Sequence, residues 1–250
     1  MSAQIRARNK SRYAKHGGLR GNMELEIRDI KKSYGKKQVL RKVSLTVQAG
    51  QCVGIVGANG CGKSTLLKIL AGVEKADGGQ IFVNGKEIKN PVRQMAAYVG
   101  YIPQESALMP DLTVRDNIKL WASFGDYREN CRNLEQLCEQ FRIRPFYKEK
   151  VKNLSGGMNK RVNIVCALLH KPPFLLMDEP SAALDLVFKE ELKEYIRRFT
   201  KEGGSVLLSS HEEGEIAACQ SLWAIKDGEA SALSGGMTVE EMVVGFMKGQ

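Results

Sequence analysis

Nine consecutive residues constrain this chain more than any other part of it. Gly57-Ala58-Asn59-Gly60-Cys61-Gly62-Lys63-Ser64-Thr65 fits the spacing G-x-x-x-x-G-K-[ST]. The run follows Cys52-Val53-Gly54-Ile55-Val56, which reads as a buried strand, and opens a helix expected from Lys63 to about Ala71, ended by Gly72. In a strand–glycine loop–helix unit, successive backbone N–H groups turn inward on a phosphate and the helix N-terminus adds partial positive charge. Gly57, Ala58, Asn59, Gly60, Cys61, Gly62 and Thr65 are therefore read as the cradle of a nucleoside triphosphate. Lys63 is expected to reach the β- and γ-phosphates, and the Ser64 hydroxyl to ligate Mg²⁺. The pattern gives a ligand class and leaves the reaction open.

A second feature narrows the chemistry. Phe174-Leu175-Leu176-Met177 is an apolar run that ends in Asp178-Glu179-Pro180. In an open α/β sheet, ligands bind where the parallel strands end. Asp178 at that edge suits Mg²⁺, and Glu179, one residue off the strand, suits a general base for an attacking water, a role worth roughly 10²–10⁴ in rate.

The intervening pattern sets the fold class. Leu25-Glu26-Ile27 and Val39 to Val47 alternate in hydrophobicity, and Asn84-Gly85 marks a hairpin between Gln80–Val83 and Lys86–Ile88. A short strand is read at Tyr98–Ile102. Residues 113–150 then hold two helical stretches, near Val114–Phe124 and Cys131–Phe141. Beyond Ser155, helix and strand alternate: helix 159–170, strand Phe174–Met177, helix 186–200, strand Val206–Ser209. Asp227-Gly228 reads as a last hairpin, with a closing helix from about Val239. This predicts an α/β protein: a P-loop core with a mostly parallel sheet, helices on both faces, an antiparallel β subdomain and an inserted helical subdomain at about 105–157.

Charge and composition exclude other classes. Of the net charge of +10, six units lie in residues 1–22, where Arg6, Arg8, Lys10, Arg12, Lys15 and Arg20 meet no acid. This arm is read as a solvated, disordered tail ahead of a domain spanning 23–250, and nucleic acid is not expected as a partner. The six cysteines form no CxxC pair and read as free thiols. No window approaches the roughly 18 apolar residues of a membrane span, and the basic start has no apolar core of a secretory signal. A cytoplasmic protein is expected.

Leu154-Ser155-Gly156-Gly157-Met158, upstream of the acid pair and opening a helix, resembles the signature motif of the nucleotide-binding subunit of ABC transporters. The likeness runs from about Met23 to Gly228 and implies an ATPase whose two subunits pair head to tail around two ATP molecules. It implies that Ser155 and the Gly156 and Gly157 amides touch the γ-phosphate held by Lys63 of the other subunit. By the same likeness Tyr34 stacks on adenine, Gln104 touches Mg²⁺ and the attacking water, Asp185 crosses the dimer seam and His211 contacts the γ-phosphate. It further implies a separate transmembrane permease, with this subunit peripheral on the cytoplasmic face, and a homodimer or a heterodimer with another ABC ATPase.

The likeness has departures. Met158 stands where the family commonly has glutamine and cannot donate a hydrogen bond, and Cys61 lies inside the phosphate loop. Leu233-Ser234-Gly235-Gly236-Met237 repeats the signature letters but leads into Thr238-Val239-Glu240-Glu241; acids suit a helix start, not a phosphate contact, so it is read as a chance turn. Met109–Asn117 and Ser155–Arg161 resemble small exporter-type ATPases, and about twenty residues after Gly228 leave no room for a long regulatory domain, so import stays open beside export. A cytosolic ABC ATPase acting on nucleic acid or ribosomes rests only on the basic arm. A small P-loop kinase or GTPase leaves the signature motif unexplained, and for a GTPase Asn159-Lys160-Arg161-Val162 fails the last position of an Asn-Lys-x-Asp base reader; a non-catalytic module leaves Lys63, Asp178, Glu179 and His211 without purpose.

Overall fold

The computed structural model describes residues 23–123 and 126–233. The basic arm, the second signature-like run beyond Leu233 and the closing helix lie outside the described residues. Ten strands form one sheet: β1 Leu25–Tyr34, β2 Lys37–Val47, β3 Cys52–Val56, β4 Gly78–Val83, β5 Lys86–Glu87, β6 Val99–Ile102, β7 Phe174–Asp178, β8 Ser205–Ser209, β9 Ser221–Lys226 and β10 Glu229–Leu233. Their spatial order is β5-β4-β1-β2-β10-β9-β3-β8-β7-β6. β9, β3, β8, β7 and β6 run parallel, while β1, β2, β4 and β5 pair antiparallel, as the alternation and the Asn84-Gly85 turn predict. Among the described residues, one parallel pair, Glu229↔Lys42, joins the two parts.

The central strands read as continuous apolar runs because both faces are covered. β3, β7 and β8 are buried at every position. Alternate residues feed two cores: Val53, Ile55, Phe174, Leu176 and Leu207 face one, and Cys52, Leu175, Met177, Val206 and Leu208 face the other. The first core takes Leu66, Leu67, Ile69 and Leu70 of helix α1 (Lys63–Leu70) together with β1, β2 and β4. The second takes the remaining long helices: α2 Val114–Ala122, α3 Tyr127–Gln140, α4 Gly156–Leu168 and α5 Leu186–Lys201.

The boundaries move where caps, not apolar periods, decide. α3 starts at Tyr127 instead of Cys131, because Asp126 accepts from the N–H groups of Arg128 (2.9 Å) and Glu129 (3.2 Å) ahead of a polar first turn. α4 starts at Gly156 instead of residue 159, capped by Ser155, whose hydroxyl accepts from Met158 N–H at 3.2 Å. Helix α2 stops at Ala122, two residues short, and Tyr98 belongs to the end of a 3₁₀ turn, not to β6. Asn117, fully buried, pins the approach to α2 by exchanging hydrogen bonds with the Met109 N–H (2.8 Å) and C=O (3.0 Å). Cys52 and Cys219 bring their thiols to 3.6 Å, and all six cysteines are free.

Candidate active site

The phosphate loop turns between β3 and α1 on glycines that no other residue replaces. Gly57 has φ 151° and a Cβ there would sit 2.5 Å from the Ile225 carbonyl; Gly62, at the helix start with φ 114°, would meet Leu40 at 2.6 Å. No acid of the helix itself occupies the first turn of α1, which leaves its N-terminal positive end available to an anion. Lys63 is 6% exposed, and its ammonium donates to the carbonyls of Gly57 (2.8 Å) and Ala58 (3.2 Å). The cation therefore lies within the loop itself.

The register of β7 on β8 brings the metal-type ligands together. Asp178 pairs with Ser209, whose hydroxyl donates to Asp178 Oδ1 at 2.5 Å; Ser64 Oγ donates to the same oxygen at 3.1 Å. Asp178 Oδ2 is buried and has no partner. A buried carboxylate oxygen without a donor is costly, so the donor set fits a hydrated divalent cation. Tyr101 on β6 lies close enough for the Asp178 charge, after burial, to push its phenol upward.

One residue on, the chain leaves the strand. Glu179 takes φ 47°, a left-handed conformation that non-glycine residues hold at a cost of order 1–3 kcal/mol, and its N–H donates to the Ser209 carbonyl at 3.0 Å. This turn aims the carboxylate at two other segments. Gln104 Nε2 donates to Glu179 Oε2 at 2.9 Å, and His211 Nε2 lies 3.8 Å from Oε1. Ser210, beside His211, donates to Glu215, whose carboxyl burial pushes upward against the opposing hydrogen bonds from Ser210 and Ser181.

A cleft of about 690 Å³ lies alongside, bounded by Ala58–Cys61, Val39, Arg41, Lys226 and His211. Arg41 and Lys226 are not legible as site residues from sequence, since isolated lysines and arginines carry no spacing signal. Tyr34 does not line this cleft. Its ring is half exposed, with the Lys32 ammonium 5.3 Å over it, and its hydroxyl is hydrogen-bonded toward Glu74 and Thr65 at the start of α1. Ser155, Gly156 and Gly157 also stand apart from the cleft, the two glycines against Ala183, with Ser155 and Gly156 exposed. Ser155 Oγ accepts as the cap of α4, which leaves its own O–H able to donate outward. Asp185 caps α5 by accepting from Phe188 N–H (2.9 Å) and is tied to Arg161 (2.8 Å); the backbone bond first, and Arg161 after it, hold its carboxyl below the usual range.

Comparison with known proteins places this geometry. The ABC transporter family profile matches residues 40–182. The linearmycin resistance ATP-binding protein LnrL of Bacillus subtilis is 32% identical over 232 residues, 88% of this chain and 75% of the relative. The Nod factor export ATP-binding protein I of Paraburkholderia xenovorans is 37% identical over 212 residues, 83% of this chain and 69% of the relative. Among solved structures, an ATP-binding subunit of an ABC transporter superposes with TM-score 0.81 at 29% identity, over 90% of this chain and 99% of the other. A dimeric cassette in a post-hydrolysis state bound to ADP and Pi superposes with TM-score 0.74 at 26% identity, over 85% of this chain and 100% of the other. A glycine cradle after a buried strand, an acid pair at a neighbouring strand end and this breadth of likeness lead to one assignment: the chain belongs to the ABC transporter family as an ATP-binding subunit with an ABC ATPase domain.

Proposed function

We propose that two copies of this chain close head to tail over two ATP molecules, and that hydrolysis then drives a separate membrane permease in the export direction. The observation that carries the reading is the convergence of Ser64, Asp178, Gln104, Glu179 and His211 at the ends of β7 and β8 beside the Lys63 loop. The N–H groups of residues 57–62 and the Lys63 ammonium hold the β- and γ-phosphates, and Thr65 completes the cradle. Tyr34 stacks on the adenine. Ser64, Asp178 and Gln104 would hold Mg²⁺, which when bound would neutralise phosphate charge. Glu179 takes a proton from the attacking water, Gln104 orients that water, and His211 donates toward the γ-phosphate. Ser155 and the amides of Gly156 and Gly157 contact the same phosphate from the second copy, where a hydroxyl and a helix N-terminus favour an anion.

Support for a dimer comes from the dimeric solved cassettes, and for export from the names of the relatives in Nod factor export and linearmycin resistance. No helix among the described residues is long and apolar enough to cross a membrane, which suits a subunit held peripherally, on the cytoplasmic face, by a permease. Replacing the base tests the reading. Glu179→Gln should keep ATP binding and lower turnover by roughly 10²–10⁴; near-normal turnover in that variant would contradict the assigned role.

A further inference from the structure

Helix α4 packs against the sheet with two polar side chains in its buried face, and both reach the loop that follows β6. Lys160 is 6% exposed and Asn163 5%. The Lys160 ammonium donates to the carbonyls of Pro103 (2.9 Å), Gln104 (3.5 Å) and Asp178 (3.5 Å). One turn further along, Asn163 Oδ1 accepts from Ala107 N–H at 3.2 Å, and its amide donates to Ser106 Oγ (3.2 Å) as well as to the carbonyl (3.0 Å) and Oδ1 (2.8 Å) of Asn159 on its own helix. An ammonium has three donors and no acceptor, and burying it is costly unless all three are met. Here three carbonyls from two separate segments accept from it; burial holds the Lys160 pKa below the usual lysine range, and the nearby Asp178, Glu179 and Glu215 charges oppose that burial.

We infer that Lys160, assisted by Asn163, is a positioning residue: it fixes the Pro103–Gln104 backbone against the end of β7 so that the Gln104 amide reaches Glu179. The inference rests on the proposed role of Gln104 at the reaction centre. It goes beyond that role by joining three parts through one cation: the helix opened by Ser155, the Gln104 loop and the Asp178 strand end. Sliding α4 along β7 would strain the Pro103 and Asp178 bonds unequally, so the position of the helix is passed directly to Gln104. A displacement of about 1 Å at a reacting group can cost about 10² in rate.

The test uses the full chain with three substitutions. Lys160→Met keeps the length of the stem and removes all donors; Lys160→Gln keeps two N–H groups; Gln104→Ala removes the positioned side chain. Turnover, KM for ATP, binding of a non-hydrolysable ATP analogue and amide exchange at residues 104–107 are measured for each. Lys160→Met should lower kcat by about 10- to 100-fold, leave KM and analogue affinity within about twofold, and speed exchange at 104–107 but not in α1. Lys160→Gln should recover part of the kcat loss. Wild-type kcat in Lys160→Met beside lost turnover in Gln104→Ala overturns the positioning role alone. So does unchanged exchange at 104–107, or a parallel loss of analogue binding. Wild-type turnover in Gln104→Ala overturns the reading of Gln104 and the inference with it. Should Lys160→Met fail to fold, Lys160→Gln and Asn163→Ala carry the test, with the same split between kcat and binding expected.

Discussion

Asp178 meets two different environments within one carboxylate: Oδ1 accepts from two hydroxyls, and Oδ2 accepts from none. Hydrogen bonds to a charged group are worth about 1.5–3 kcal/mol. Ser209→Ala, which removes the shorter bond, should destabilise the fold by about that much, read as a lower urea midpoint with unchanged slope; an unaltered midpoint would show that the bond contributes nothing. Cys61, partly buried, lines the cleft beside the phosphate loop. Alkylation with a bulky maleimide should block ATP binding sterically, and ATPase activity untouched after full labelling would count against that placement. At this scale the sequence was uneven as a guide. Lys63, Asp178 and Glu179 announce themselves because each ends or opens an apolar segment at a fixed spacing. Ser209, Lys160 and Glu215 do not, because a single serine, lysine or glutamate gains meaning only when the sheet register and the helix packing bring a carboxylate or carbonyl to it.

Helix ends carry much of the chemistry here, and they are where prediction and structure part. The cores of α1, α4 and α5 were legible from apolar residues; the starts of α3 and α4 were not, because their first turns are polar or glycine-rich and the caps Asp126 and Ser155 decide them. The far end of α4 has its own consequence. His170, in the turn to β7, has a buried Nε2 without a partner and a backbone hydrogen bond to Val99; burial holds its pKa down at about 4. The unfolded chain protonates such a ring near 6.5. Between pH 6.5 and 4 the unfolded state therefore binds more protons, so stability is full above 6.5 and declines as pH falls toward 4. Urea midpoints of wild type and His170→Leu at pH 7 and pH 4.5 measure this. The wild type should lose more stability than the variant across that interval, and equal losses would remove His170 from the account.

Across the whole molecule the sheet is a partition between two cores, and its C-terminal strand ends collect loops that lie far apart in sequence. The parallel class of the sheet was readable from alternating helix and strand signals. Its order was not: β3 lies between β8 and β9, more than 140 residues away in the chain, because crossover geometry and not sequence proximity sets neighbours. Nor does one chain complete the site in this reading, since Ser155 and Gly156 sit exposed, outside the cleft bounded by the phosphate loop. In the proposed dimer a second copy brings them to the phosphate. Light scattering on the Glu179→Gln chain, with and without saturating ATP, tests it most directly. Without nucleotide the particle should hold one chain, and with saturating ATP two; a particle that stays a single chain with ATP bound would rule the shared site out.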